Sequence, residues 1–579
     1  MNMFFGSTLG KDTRNISGKP ISYDESGLGT LLDGEIYNTA ELRRDLEAAG
    51  FGFDTTTTPS QLIAKAYKTW GESCIKKLNG AFSICFHDRS KDTLYIARDH
   101  VGRKPIYYAT RNGKIVFSSK ISPILKTPGI SRDIDLSALN YYLTYRYIPE
   151  DLCIFKDIRK IPAGCALRFT LSSGETEMTR YWEPPTVESS GMNESALLDE
   201  LEEILLDSIR LRMNGDQNTG ALLSGGLDSS LIVAVMSKLS SKRVKTFTIS
   251  FKDDKFSEIP FSRIVSRHFG TDSEEFVVEP DFDSLVKAVS LFDEPLADPS
   301  IFPSYFAGKL ASSHCDSIIS GEGADSLFIG FRSHRLSIKY RDFKKYILPP
   351  LSWLSGALAA FIPQEVKWRI FLNNLTPEEF FLSRMMVYSA PLREKLLQGW
   401  VLEELGDRFH EPERLGASIM GSYDGTLTGK MGYLNFKSDP DDILYKLDRI
   451  SSHFSYEVRT PFLDSRMVEF AFGKVPGDLK LKQGTTKYLL KKLAKKFLPP
   501  KLPLERKRGF NPPFSRWLKH DWSDYARDIL LSGDEGFFNR DYIEKLLKRN
   551  KSAVSDEGRR IFCLLVFKIW EQNVLSGDT

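Results

Sequence analysis

The spacing of apolar residues changes along this chain, and the change separates two halves. Up to about residue 182 the pattern is that of short strands. Ser83-Ile84-Cys85-Phe86 and Thr93-Leu94-Tyr95-Ile96-Ala97 flank a polar turn, and Lys114-Ile115-Val116-Phe117 follows the turn pair Asn112-Gly113. Thr39 to Ala49 and Gln61 to Trp70 carry helical spacing, so an α+β or sandwich-like domain is expected. Residues 183–194 (EPPTVESSGMNE) interrupt the pattern with Pro184-Pro185 and a Ser/Gly cluster, as a linker does. From Ser195 a helix is predicted, with Leu198, Leu201, Leu205 and Ile209 on one face. Ala221-Leu222-Leu223, Thr246 to Phe251 and Ser317 to Ser320 then alternate with helical stretches, the signature of a parallel sheet. From about residue 335 onward the chain reads as almost wholly helical. The expected class is α/β, with domains at 1–182 and 195–579.

Composition narrows the function. A length of 579 residues predicts two or three domains. The 79 basic and 76 acidic residues nearly cancel, so the total charge does not point to nucleic acid. The six cysteines are scattered without a Cys-x-x-Cys pair, which predicts core positions in a reducing, cytoplasmic setting and argues against zinc. The first residues carry neither the basic start nor the apolar run of a signal peptide. The most membrane-like stretch, Trp353 to Ile362, lies between prolines and is too short to span a bilayer; a buried helix is expected.

The chemistry centres on Ser224-Gly225-Gly226-Leu227-Asp228-Ser229-Ser230, between a predicted strand and a predicted helix. Glycines let backbone N–H groups approach an anion, the serine hydroxyls add donors, and a helix N-terminus favours negative charge. Asp228 would repel phosphate unless a Mg²⁺ lies between them. No Gly-Lys-Ser/Thr follows, so this is not a Walker A loop. It resembles the pyrophosphate loop of ATP pyrophosphatases, which cleave ATP to AMP and pyrophosphate. Loops at the carboxyl ends of parallel strands share one crevice, so Gly321-Glu322-Gly323-Ala324-Asp325 is expected to bring Asp325 opposite Asp228 and Glu322 toward a substrate. Strand 246–251 would run beside the nucleotide. Asp448-Arg449 and Glu457 to Asp464 gather charges about Pro461-Phe462-Leu463, which by themselves also read as a solvated helix end joined to a core segment. Lys507-Arg508-Gly509-Phe510-Asn511 offers cations suited to an anionic transition state.

With these segments in view, the chain resembles the glutamine-dependent asparagine synthetase family over nearly its full length. Matching segments are Leu32 to Asn38, Ala97-Arg98-Asp99, Gly102 to Tyr108, Arg180-Tyr181-Trp182, the 224–230 loop, Asp293 to Ser300, the 320–325 loop, 457–464 and 507–510. The resemblance implies an N-terminal Ntn-type glutaminase-like domain, then an ATP-pyrophosphatase domain (adenine-nucleotide α-hydrolase-like) with a helical C-terminal part. It implies that ATP adenylates a carboxylate and that an amine then displaces AMP. By position, Leu222, Ile249 and Gly321 would hold AMP, with Ser320 also binding the nucleotide. Ser224, Gly225, Gly226, Ser229 and Ser230 would hold pyrophosphate, and Asp228 and Asp325 would bind Mg²⁺. Glu322 would meet the incoming substrate, Lys507 would stabilise developing charge, and Glu457 would help orient a catalytic base, as in the related β-lactam synthetases.

The chain also departs from the family. The residue after Met1 is Asn2 where the family has a cysteine nucleophile, and the Arg-His-Arg-Gly-Pro-Asp glutamine box is absent. Asp33 stands where the family has an oxyanion-hole asparagine, and Pro59-Ser60-Gln61 replaces the Ser-Asp/Glu clamp. These changes predict a degenerate domain without glutaminase activity. In the synthetase half, Ser326 and Ile329 replace a glutamate and a glycine. The expectation is therefore a specialised amide- or macrolactam-forming ligase, like lasso peptide cyclases, acting on a small-molecule or peptide carboxylate and served by a biosynthetic partner. Asparagine formation from free ammonia and an inactive nucleotide-binding scaffold are the alternatives.

Overall fold

The computed structural model describes residues 23–24, 27–54, 56–187, 191–213, 218–251, 257–346, 375–505, 512–533, 536–552 and 556–575. The N-terminal half contains strands β1 (Leu28–Ile36), β2 (Gly80–Asp88), β3 (Thr93–Arg98), β4 (Tyr107–Arg111), β5 (Lys114–Ser118), β6 (Arg159–Lys160), β7 (Cys165–Thr170) and β8 (Thr176–Arg180). They form a five-stranded antiparallel sheet ordered β1-β2-β3-β7-β8 and a three-stranded sheet ordered β5-β4-β6. Successive side chains on a strand point to opposite faces, so each strand of the larger sheet serves two cores. Phe82, Ile84 and Phe86 face helices Thr39–Ala48 and Pro59–Trp70, whereas Cys85 packs with Ile115 and Phe117 of the smaller sheet.

In the second half, helix Glu194–Met213 precedes a sheet of β9 (Thr219–Leu222), β10 (Lys245–Phe251), β11 (Asp272–Val278), β12 (Ser317–Ile319) and β13 (Glu457–Arg459). Its order is β11-β10-β9-β12-β13 and every pairing is parallel. After residue 335 the described chain is almost wholly helical, as expected; the exceptions are β13, which completes the sheet, and a small hairpin that pairs β14 (Leu481–Lys482) with β15 (Thr485–Thr486). Residues 457–459 are accordingly a strand and not a solvated helix end. Glu-Val-Arg has one apolar residue between two charges, and both charges are neutralised by the N-terminal half.

The halves are packed together. Residues of β4, of helix Leu136–Tyr145 and of the segment Ile148 to Ile158 share one core with Phe302, Trp517, Trp522, Phe562 and Trp570. All six cysteines are buried. Among the described residues no helix is long and apolar enough to cross a membrane. Trp353 to Ile362 lies outside the described residues.

Candidate active site

Chain direction across the sheet changes beside β9, with β10 on one side and β12 on the other. Such a switch point opens a crevice at the strands' carboxyl ends. The 223–226 turn after β9 and the 320–323 turn after β12 meet there. Gly321 lies so close to helix Leu227–Leu239 that a Cβ on it would come within 2.9 Å of the Asp228 Cβ. Gly225 has φ +72°, and its Cβ would lie 2.5 Å from Phe261, so no other residue fits without strain. Gly226 is different: its Cβ would meet only the Ser224 hydroxyl at 3.2 Å. Protein packing does not require glycine at 226, which leaves room for a ligand against the backbone.

The loop is internally bonded. The Ser224 and Ser229 hydroxyls lie 2.9 Å apart, and the Gly226 N–H donates to the Ser224 hydroxyl at 3.2 Å. This holds both hydroxyls at the N-terminus of the 227–239 helix, where an anion is favoured. Ser230 is set apart from them. It is fully buried in that helix, and its hydroxyl has no hydrogen-bond partner among the described residues. Leu222 and Ile249 lie near the carboxyl ends of adjacent strands, and the Leu223 N–H donates to the Phe247 carbonyl at 2.9 Å. Buried Ser320 is fixed by its N–H to the Arg459 carbonyl at 2.9 Å.

Asp228 and Asp325 do converge, and a residue overlooked in the sequence joins them. The Lys487 ammonium lies 2.5 Å from Asp228 Oδ2 and 2.6 Å from Asp325 Oδ1. Burial would lower its pKa, but the two carboxylates hold it above the usual lysine range. Lys487 follows the β14–β15 hairpin and opens helix Tyr488–Ala494 with φ +52°. Gly330 makes the arrangement possible, since a Cβ there would lie 1.7 Å from Asp325 Oδ1 and 2.1 Å from Lys487 Cε. The donor set suits Mg²⁺, a hard cation usually held by one or two carboxylates plus substrate phosphates and water. Among the described residues no group of three or more His, Cys, Asp or Glu side chains forms a metal cage, so phosphate oxygens would supply the remaining ligands.

Glu322 is half-buried. Burial holds its carboxyl above the usual range; Lys446 opposes this, and Asp325, Asp298 and Asp228 reinforce it. Lys446 is itself anchored, 2.8 Å from Asp298 Oδ2 and 2.5 Å from the Ser300 hydroxyl. The Ser326 hydroxyl donates to Asp439 Oδ1 at 3.0 Å. Burial pushes the Asp439 carboxyl well above its usual range; the Ser326 hydroxyl opposes this, and Asp442, Glu322 and Asp325 add to it. Ile329 adopts a left-handed conformation, φ +63°, unfavourable for a β-branched residue. It is nevertheless fully buried, against Gly432.

On β13, the Glu457 carboxylate receives Lys104 Nζ of the N-terminal half at 3.1 and 3.2 Å. Lys104 is also 3.4 Å from buried Asp448. Arg103 donates to the Val458 carbonyl at 3.1 Å, and Arg459 pairs with both oxygens of Glu35 at 2.8 and 2.6 Å. Every residue of β13 is thus gripped by the N-terminal half. Asp33 belongs to the same cluster. It is 2 % exposed, and burial raises its pKa from 3.8 to about 6, with Lys104 opposing and Asp448 and Glu457 adding to the rise. Gln61 is engaged in a capping box: its N–H donates to the Thr58 hydroxyl and its side-chain oxygen accepts the Thr58 N–H. Lys507 to Asn511 lies outside the described residues.

Comparison with known proteins shows the family. The asparagine synthase family profile matches residues 200–572, and a glutamine amidotransferase domain profile matches 11–182. The chain is 31% identical to an asparagine synthetase (glutamine-hydrolyzing) of Bacillus subtilis, over 96% of this chain and 87% of that protein. It is 29% identical to a putative enzyme of the same description from Mycobacterium tuberculosis, over 93% and 83%. It is also 25% identical to the amidase chyE of Penicillium rubens, over 86% and 79%.

Proposed function

The chain belongs to the asparagine synthase family of ATP-dependent carbon–nitrogen ligases, and from that premise we propose that it builds an amide with an amine that its own N-terminal domain does not generate. In the first step a carboxylate oxygen attacks the α-phosphorus of ATP, and the bond to pyrophosphate breaks. In the second, the amine attacks the acyl carbon, the bond to AMP breaks, and the amine's proton passes to a base.

On this proposal the chain's own groups take the following roles. The 224–229 loop and the N-terminus of the 227–239 helix bind the phosphates. Glu322, half-buried and raised in pKa, meets the amine and takes its proton at a carboxylate oxygen. Glu457, held by Lys104, orients the acceptor side. Mg²⁺ bound by Asp228 and Asp325 would neutralise charge developing on the phosphates. The role of Lys507 rests on resemblance to the family.

The observation that carries the proposal is the fate of the glutamine-side positions. Asp33 is a buried carboxylate in the Lys104–Glu457 cluster, and an anion there repels an oxyanion. Gln61 is engaged in capping a helix. The Ser326–Asp439 pair and Ile329 alter the acceptor side, which favours a specialised amide or lactam ligase with a small-molecule or peptide carboxylate. Retention of acidic Glu322 favours a second reading, asparagine from aspartate and free ammonia. The test supplies ATP, Mg²⁺ and aspartate with ammonium or with glutamine, and follows AMP, pyrophosphate and asparagine by mass spectrometry. Asparagine from ammonium alone selects the second reading. ATP bound without asparagine sets aside the second reading and leaves the specialised ligase or an inactive nucleotide-binding scaffold. Asparagine from glutamine as readily as from ammonium refutes the proposal.

A further inference from the structure

The position between Asp228 and Asp325 already holds a cation, the Lys487 ammonium. We propose that Lys487 is a built-in counter-ion that excludes free divalent metal from this site, so that the metal enters only with ATP. This inference rests on the ATP reading given above. Lys487 touches one oxygen of each aspartate at 2.5 and 2.6 Å. A Mg²⁺ about 2.1 Å from its oxygen ligands needs the same space. The side chain is 6% exposed, so it does not reach the site by sweeping through solvent. Its backbone is fixed as well, by the N–H donated to the Phe328 carbonyl at 3.1 Å. The glycine at 330 leaves the gap through which the lysine stem passes.

With Lys487 in place the pair of aspartates carries one compensating charge and offers a free divalent ion little gain. Metal arriving with ATP differs, because the triphosphate brings negative charge that can receive the displaced ammonium. The Lys487 ammonium would then pair with the phosphates, and Asp228 and Asp325 would be left to hold the metal. The device keeps two acidic groups together before substrate binds and orders the arrival of metal and nucleotide.

Manganese is a suitable probe, read by electron paramagnetic resonance of free Mn²⁺ without any turnover. The nucleotide-free wild type is expected to bind Mn²⁺ at this site at least about tenfold more weakly than Lys487→Met, which leaves both carboxylates to the metal. Adding ATP should restore Mn²⁺ binding to the wild type. Unchanged Mn²⁺ affinity in folded Lys487→Met, with the wild type still responding to ATP, overturns the counter-ion role alone. No Mn²⁺ binding by the wild type even with ATP overturns the ATP reading and this inference with it. Should Lys487→Met be unstable, its melting temperature provides the second measurement. Mn²⁺ alone should raise it by several degrees and leave the nucleotide-free wild type unmoved. The wild type also decides without any variant, since Mn²⁺ bound as tightly without ATP as with it contradicts the proposal.

Discussion

Asp33 shows how one side chain couples stability to pH. Its carboxyl is raised from 3.8 to about 6, so between those values the folded protein holds a proton that the unfolded chain has lost. Any favourable contribution is complete below pH 4 and is lost as the pH rises through 6. Asp33→Asn should therefore stabilise the protein by about 2 kcal/mol at pH 8 and by much less at pH 4, as followed by melting temperature against pH. An equal gain at both values would show that the carboxyl is not the cause. Gly330 makes a sharper case. Gly330→Ala places a methyl 1.7 Å from Asp325 Oδ1 and should reduce pyrophosphate release roughly a hundredfold through displacement of Asp325 and Lys487. Activity within threefold of wild type would contradict this. The Asp228–Asp325 partnership was legible in the sequence, because each aspartate follows a short apolar run and a glycine turn. Lys487 was not. Thr485-Thr486-Lys487 reads as ordinary polar surface, and its one signal is the Gln483-Gly484 turn that aims the chain back at the sheet.

At the scale of elements, β13 depends on its partners. Three residues with one apolar side chain form a strand because β12 pairs with them along one edge while Lys104, Arg103 and Glu35 hold their charges and carbonyls. Local pattern could not have found it, since strand propensity here comes from context. Lys104→Met leaves Asp448 buried without its nearest cation and should destabilise the protein by about 3 kcal/mol. Hydrogen exchange at 457–459 should accelerate with it. A loss below about 1 kcal/mol, with unchanged exchange, would mean that β13 is held by the sheet alone. The parallel strands β9 and β10 were readable, because their apolar runs sit among helical stretches and β9 runs into the Ser224-Gly225-Gly226 turn. The wide helical turn Pro440–Leu444 was not foreseen, and it also serves the interface. Its Asp441 meets Lys160 at 3.3 Å, and Asp442 meets Arg146 at 2.6 Å.

At the scale of the whole molecule, packing gives the N-terminal domain a structural role. A core shared by Tyr142, Phe155, Phe302 and Trp570 crosses between the halves, and ion pairs at Lys104, Arg146 and Lys160 tie the N-terminal half to the ligase half. Residues 183–579 alone should therefore yield insoluble or non-cooperatively melting protein. A soluble fragment with a single sharp transition would contradict the shared core. A composition change near residue 182 was visible in the sequence, but packing across it was not, because periodicity reports which face is buried and not what covers it. The central claim is that this ligase retains its ATP site while its N-terminal domain no longer supplies the amine. The most direct measurement is glutamate release from isotopically labelled glutamine by the full-length protein with ATP and Mg²⁺. The account predicts no glutamate above the protein-free control, from a preparation that binds ATP. Glutamate formed at a steady catalytic rate would contradict it.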